Sequence, residues 1–309
     1  MLETMLSVFP VLLLFVLGFS LQKIDFFSPR TVGEMKKVVS NLALPALMFK
    51  AFMSIEVEAK YLILVIAVFA TCALMVLLGR LIAKPAKVTS PYFSLMMGGF
   101  EMGMLGYALF LGLYGQEHLG KIALVDLGQV LFVFFVLMAL LIKERGGGGS
   151  PATLLKQFVT SPVILAIFSG LVASALKSRI EAGPFLNSIG TFIDMLGSLT
   201  IPLIAITIGY GISFKKEGLS QSVKTIVTRK VLSLVFVLLL NTILVDRVLG
   251  MPPMYRYAMM VMFLTPPPFV ISIFMKQEDK PNMDYVADTL SLDTVVSVLL
   301  IILAALFYV

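Results

Sequence analysis

Apolar residues run almost unbroken through long stretches of this chain, and charged residues fall mostly in the short gaps between them. A bilayer core about 30 Å thick needs roughly 20 apolar residues per helix. Ten stretches meet that length, near 4–22, 31–52, 60–83, 91–115, 119–142, 154–177, 184–212, 222–245, 253–275 and 284–308. The pattern predicts an all-α integral membrane protein of ten transmembrane helices. The first run, from about Met5 to Leu21, has no basic residue before it and no small-residue cleavage pattern after it, so it is read as a span and not as a removable signal.

Two distant stretches share their punctuation. Pro10 and Gly18 precede Asn41-Leu-Ala-Leu-Pro45, and Pro162 and Gly170 precede Ser198-Leu-Thr-Ile-Pro202 at matching spacing. The match continues in order, from Met96-Met97-Gly-Gly-Phe100 to Met259-Met260-Val-Met-Phe263, and from Leu124-Val-Asp126 to Ser291-Leu-Asp293. The offset between matching positions grows slowly along the chain, as loop insertions between equivalent helices would make it. An odd number of spans separates the copies, which places them upside down to one another as two inverted five-helix repeats over 1–143 and 154–309. Inverted repeats are the architecture of secondary transporters, with the ligand near the midplane where the copies meet. Residues 144–153, with the run Gly146-Gly-Gly-Gly-Ser150, read as a flexible cytoplasmic linker. Such a run is also what an engineered loop replacement would leave.

Composition agrees with a membrane setting. Only 14 % of the 309 residues are charged, against about 25 % for an ordinary soluble domain, and the mean hydropathy is +1.00. The net charge of +6 is spread over short loops, which excludes a nucleic-acid surface. Alternating the connections gathers the larger basic set, including Lys36, Lys37, Lys84, Lys143, Lys224, Arg229 and Lys230, on one side. That side is predicted cytoplasmic and both termini extracytoplasmic. The multi-pass chain is expected in the plasma membrane. One cysteine, Cys72, and one histidine, His118, exclude a disulfide framework and make a metal site or histidine relay improbable, so no cofactor is expected.

The fourth and ninth spans carry the chemistry. Segment four reads Gly98-Gly-Phe-Glu101-Met-Gly103-Met-Leu-Gly106, and segment nine reads Thr265-Pro266-Pro267-Pro268. Three prolines remove three amide donors and clash with the preceding turn, so the helix must open there. Glycines permit the same opening by another route. The bland alternative is a kink in one helix and close packing in the other. Unwound backbone in a membrane is tolerated where it is buried in protein or lines a wet cavity, so broken helices 4 and 9 are predicted to cross at the midplane. Their freed amides would attract a carboxylate. Glu101, Met102, Gly103, Gly106, Thr265, Pro266, Pro267 and Pro268 form the predicted substrate-binding crossover. No basic residue is placed centrally in a span, whereas Glu101, Asp126 and Asp293 are. A buried carboxylate is expected to face a cavity, bind a cation or carry a proton. Glu101, Asp126, Gln129 and Asp293 are therefore the candidates for coupling Na+ or H+, with neutral, purely structural acids as the alternative. Asp194 is read as facing a cavity or a partner subunit, with a solvated or loosely packed polar face as the alternative.

At Asn41-Leu-Ala-Leu-Pro45-Ala-Leu-Met-Phe49, the glycine-rich segment four, the Ile201-Pro202 stretch and the proline-broken segment nine, the chain resembles the auxin efflux carrier family, which includes the plant PIN proteins and bacterial permeases of similar length. The resemblance implies a scaffold of helices 1, 2, 6 and 7, often a homodimer interface, and a moving transport domain of helices 3–5 and 8–10. It implies transport of small organic acids by an elevator-like motion, and adds Asn41, Pro45 and Pro202 to the substrate-binding set. The family's proline at the segment-four break is replaced here by Gly106-Tyr107 with Glu101 nearby, which favours cation coupling or a zwitterionic or cationic substrate over a simple auxin-like anion. The leading expectation is a secondary transporter of a small organic acid, and not an enzyme. A sodium/proton antiporter and a membrane ligand sensor built on a transporter-like bundle are the alternatives.

Overall fold

The computed structural model describes residues 2–55, 58–144, 146, 151–176, 183–211, 219–275 and 279–307, and among these there is helix and no strand. In chain order the helices begin with α1 (Leu2–Lys23), α2 (Pro29–Val38), α3 (Leu44–Met53), α4 (Ala59–Ala86), α5 (Tyr92–Leu95) and α6 (Tyr107–Tyr114). They continue through α7 (Leu119–Phe132), α8 (Met138–Glu144), α9 (Pro151–Val159), α10 (Pro162–Leu176) and α11 (Pro184–Ser198). The last are α12 (Thr200–Gly211), α13 (Leu219–Leu239), α14 (Met254–Leu264), α15 (Val270–Ile273) and α16 (Lys280–Phe307). Among the described residues five stretches are long and apolar enough to cross a membrane: Ala59–Ala86, Gln116–Glu144, Pro184–Gly211, Leu219–Val248 and Lys280–Phe307. Phe9–Lys23, Met102–Tyr114 and Pro162–Leu176 are apolar but shorter.

Proline placement explains several interruptions. Pro45 has no amide to give the carbonyl four residues back, and the chain widens into a π-helical turn over Val39–Ala43 just before it, with Leu44 N–H reaching Val39 O. Pro202 sits in the first turn of α12, where no intrahelical donor is needed. Of the linker expected over 144–153, Glu144 ends α8 and Pro151 opens α9, so the helices intrude at both ends. Residues 145 and 147–150 lie outside the described residues.

Internal contacts divide the chain into two units. The first comprises Met1–Glu58, Gly103–Leu124 and Lys156–Gly211. Within it α1 and α12 meet through reciprocal glycines: a Cβ on Gly18 would lie 2.2 Å from Ile206 O, and one on Gly209 would lie 2.2 Å from Phe15 O. Small residues at such a seam let helix backbones approach closely where water exclusion offers no drive. Asp194 pairs with Lys50 at 2.6 Å inside this unit, and both line a cavity with Leu47, Gln116 and Ser198.

The second unit comprises Ala59–Met102, Val125–Leu155 and Ile212–Val309. Its core is apolar and aromatic, with Val68, Cys72, Met75, Phe93, Met97, Phe132, Met259 and Phe263 all buried. Through that core run two polar stripes at helical spacing: Ser222, Thr225, Arg229 and Ser233 on α13, and Tyr285, Thr289, Asp293 and Ser297 on α16. Residues three and four apart share a helix face, and these faces meet. Thr225 Oγ1 bonds the Tyr285 hydroxyl at 2.6 Å, and Lys230 and Asp293 pair further along.

Candidate functional site

Both predicted interruptions exist, and both lie in the second unit. In segment four the helix stops after Leu95, residues 96–101 are irregular, and helix resumes through a π-helical turn over Met102–Gly106. The opened backbone therefore overlaps only the first part, Gly98 to Glu101, of the Gly98-to-Gly106 stretch expected from sequence. Met102, Gly103 and Gly106 are in a helical turn, because the glycine needed for the reversal is Gly99. Its φ of +77° is a left-handed conformation that costs a side-chain-bearing residue energy. A Cβ there would also stand 2.9 Å from the Pro268 ring. In segment nine α14 ends at Leu264, Thr265 caps it in an extended conformation, and Pro266 to Pro268 run outside helix until α15 begins at Val270. In the described residues the helix beyond the prolines is a single turn, Val270–Ile273, shorter than the half-helix expected.

The two breaks bond to one another through the backbone. Glu101 N–H donates to Pro266 O at 2.9 Å, and Phe269 N–H donates to Glu101 Oε2 at 2.7 Å. Phe100 N–H donates to Gln129 Oε1 at 3.2 Å, while Gln129 Nε2 donates to Asp126 Oδ1 at 2.7 Å. Asp126 thus fixes which way the amide of Gln129 points, leaving its oxygen for the freed backbone donor. Such pairing is required, because a buried amide with no partner costs about 1–3 kcal/mol. The Phe100 and Phe263 rings pack beside these bonds with centroids 4.6 Å apart.

The carbonyls of the breaks are held by two cations that sequence counting assigned to the cytoplasmic side. Arg229 and Lys230 lie inside α13 and are 0 % and 6 % exposed. Arg229 Nη1 donates to Met96 O at 2.6 Å and Met97 O at 2.8 Å, and Nη2 donates to Gly99 O at 2.6 Å. Its guanidinium also stacks over the Phe100 ring at 5.0 Å. Lys230 Nζ donates to Leu264 O and Ser297 Oγ, both at 2.8 Å. Both cations also reach Thr265 O at 3.4 Å. Asp293 Oδ1 accepts Lys230 at 2.7 Å, and its Oδ2 stands 3.8 Å from Arg229 Nε. The expectation that no basic residue sits centrally in a span is therefore corrected, since Arg229 and Lys230 fall midway along Leu219–Leu239. The missed signal was the stripe Ser222, Thr225, Arg229, Ser233, whose helical spacing marks one inward face, with Asp293 as an opposite charge elsewhere in the chain. Counting basic residues by loop absorbs any cation near a span's end without asking which face it occupies.

Of the residues singled out in the sequence, Glu101, Met102, Asp126, Gln129, Thr265, Pro266, Pro267, Pro268 and Asp293 belong to this unit. Gly103, Gly106, Asn41, Pro45 and Pro202 belong to the first. Asn41 is exposed in the π-helical turn and donates to Lys37 O at 2.9 Å, and Pro202 is exposed on α12. Among the described residues no cluster of His, Cys, Asp or Glu has the makings of a metal site. The assembled chemistry is a carboxylate on a freed amide, a carboxamide on another, and a fixed cation pair on the carbonyl ends.

Comparison with known proteins places this geometry in a family. A family model described as "Membrane transport protein" matches residues 3–305. An uncharacterized transporter of Methanothermobacter thermautotrophicus is 28 % identical over 220 residues, 69 % of this chain and 68 % of that protein. An uncharacterized transporter of Methanocaldococcus jannaschii is 26 % identical over 218 residues, 66 % of this chain and 68 % of that protein.

Proposed function

The chain belongs to the membrane transport protein family, the auxin efflux carrier family that its motifs resemble, and on that premise we propose that it is a secondary transporter moving a small organic acid through the crossover of segments four and nine. One observation carries the reading. The Phe269 amide, next after the proline run, already holds a carboxylate, that of Glu101. A substrate carboxylate offers the same acceptor. Protonation of Glu101 would weaken its hold and release the amide, so a proton and a substrate carboxylate enter together with the buried charge unchanged. Constant charge matters because a net charge in the membrane interior costs several kcal/mol. The other charged groups buried in this unit are Asp126, Arg229, Lys230, Asp288 and Asp293. Arg229, Lys230 and Asp293 neutralise one another in part, which leaves Glu101 as the acid in direct contact with the freed amide.

Ten spans in two inverted five-helix repeats remain part of this proposal. Support comes from the all-helical chain and from interruptions at equivalent segments of the two copies. The division of contacts into two units supports an elevator-like alternation in which the unit carrying the crossover moves. The family is one of membrane transporters and not an enzyme class.

A ligand screen by thermal stabilisation tests the site. Between about pH 5.5 and 8 a small carboxylic acid is ionised, so pH acts on the protein and not on the ligand. Purified protein is expected to gain stability from a subset of monocarboxylates, more at the acid end of that range. Glu101→Gln, which mimics the protonated side chain, is expected to gain equally at all pH values. Wild-type stabilisation that is independent of pH, or the absence of any stabilising carboxylate, would overturn the reading.

A further inference from the structure

Where a helix stops inside a membrane, its last carbonyls lose their intrahelical donors. Clusters of such carbonyls beside a carboxylate are the usual ligands of a coupling cation in transporters with broken helices. This chain has that cluster: the carbonyls of Met96, Met97, Gly99, Leu264 and Thr265, with Asp293 and Ser297 alongside. Its side chains fill it. Lys230 Nζ stands within 2.7–3.4 Å of four oxygens, those of Asp293, Leu264, Ser297 and Thr265. Arg229 spans the carbonyls of the other break and shares Thr265 O. Both fixed cations face the Asp293 carboxylate, and the carbonyl dipoles add to their hold.

We propose that Arg229 and Lys230 are resident cations standing in the place of a dissociable sodium ion, so that the crossover assembles and binds without sodium. They are positioning residues: they hold the interrupted ends in register and touch no substrate. The consequence is specific. Removing the ammonium of Lys230 while keeping its four oxygens creates a site for a small monovalent cation. This goes beyond the transport reading, and it is read from the stability of the substrate-free protein, so the two can fail separately.

Thermal unfolding is measured in sodium, potassium and N-methylglucamine chloride at equal ionic strength, and with added ethylammonium, on wild type, Lys230→Ala and Lys230→Gln. Wild type is expected to unfold at one temperature in all the salts. Lys230→Ala is expected to unfold lower and to recover by several degrees, saturably, with sodium or ethylammonium but not with N-methylglucamine. Lys230→Gln keeps more of the side-chain volume and guards against a variant that fails to fold. It is expected to show a smaller sodium response of the same sign. Saturable stabilisation of wild type by sodium would overturn the proposal, as would variants whose lowered stability is indifferent to every cation. A merely structural lysine would give the second result.

Discussion

Asp293 pairs with both buried cations, at 2.7 Å from Lys230 and 3.8 Å from Arg229, so its removal is expected to be costly. With Asp293→Asn, Arg229 and Lys230 would be held by carbonyls and hydroxyls alone, and breaking a buried pair by removing one partner costs about 3–5 kcal/mol. Unfolding of the purified variant should show that loss, and a loss below about 1 kcal/mol would mean the pair is solvated. Combining it with Lys230→Met should recover part of the loss, because the second change removes the charge the first one orphaned. Gln129 works on a smaller scale. Gln129→Leu leaves the Phe100 amide and the Asp126 carboxylate each short of a partner that the structure gives them. The expected cost is about 1–3 kcal/mol, read by the same unfolding measurement, and Gln129→Glu should not restore it, since a carboxylate cannot donate to Asp126.

At the level of elements, the two breaks are built by different means and should respond differently. Gly99 combines a left-handed backbone with contact against the Pro268 ring. Gly99→Ala is therefore strained in both respects and should cost about 1–3 kcal/mol, measured by unfolding, while Gly103→Ala, in a helical turn, should cost less. A reversed order would place the turn elsewhere. The proline run was legible from the sequence because proline acts through its own missing amide. The glycine break was legible as an interruption but not to the residue, since several glycines were available and only the approach of Pro268 selects Gly99. The α13 and α16 stripes were legible in spacing but not in pairing. Nothing local in Ser222, Thr225, Arg229 and Ser233 says which distant helix supplies their partners. The same limit let Arg229 and Lys230 be counted only as charges of the cytoplasmic side.

At the scale of the molecule, the fold follows from hydropathy, and the chemistry gathers in the unit built from Ala59–Met102, Val125–Leu155 and Ile212–Val309. The first unit instead packs through close backbone contacts such as the Gly18 and Gly209 pair, with no buried cluster of charge among the described residues. A substitution there, such as Gly209→Leu, should lower stability and leave the pH dependence of carboxylate binding unchanged, as the thermal screen would report. The central claim concerns the whole carrier at work. Its most direct test is uptake of labelled carboxylates into proteoliposomes under an imposed pH gradient, acid outside, with sodium absent. Wild type is expected to accumulate at least one small carboxylate above equilibrium, and Glu101→Gln is expected to exchange it across the membrane without accumulating it. Accumulation that survives in Glu101→Gln, or no carboxylate movement by wild type, would contradict the account.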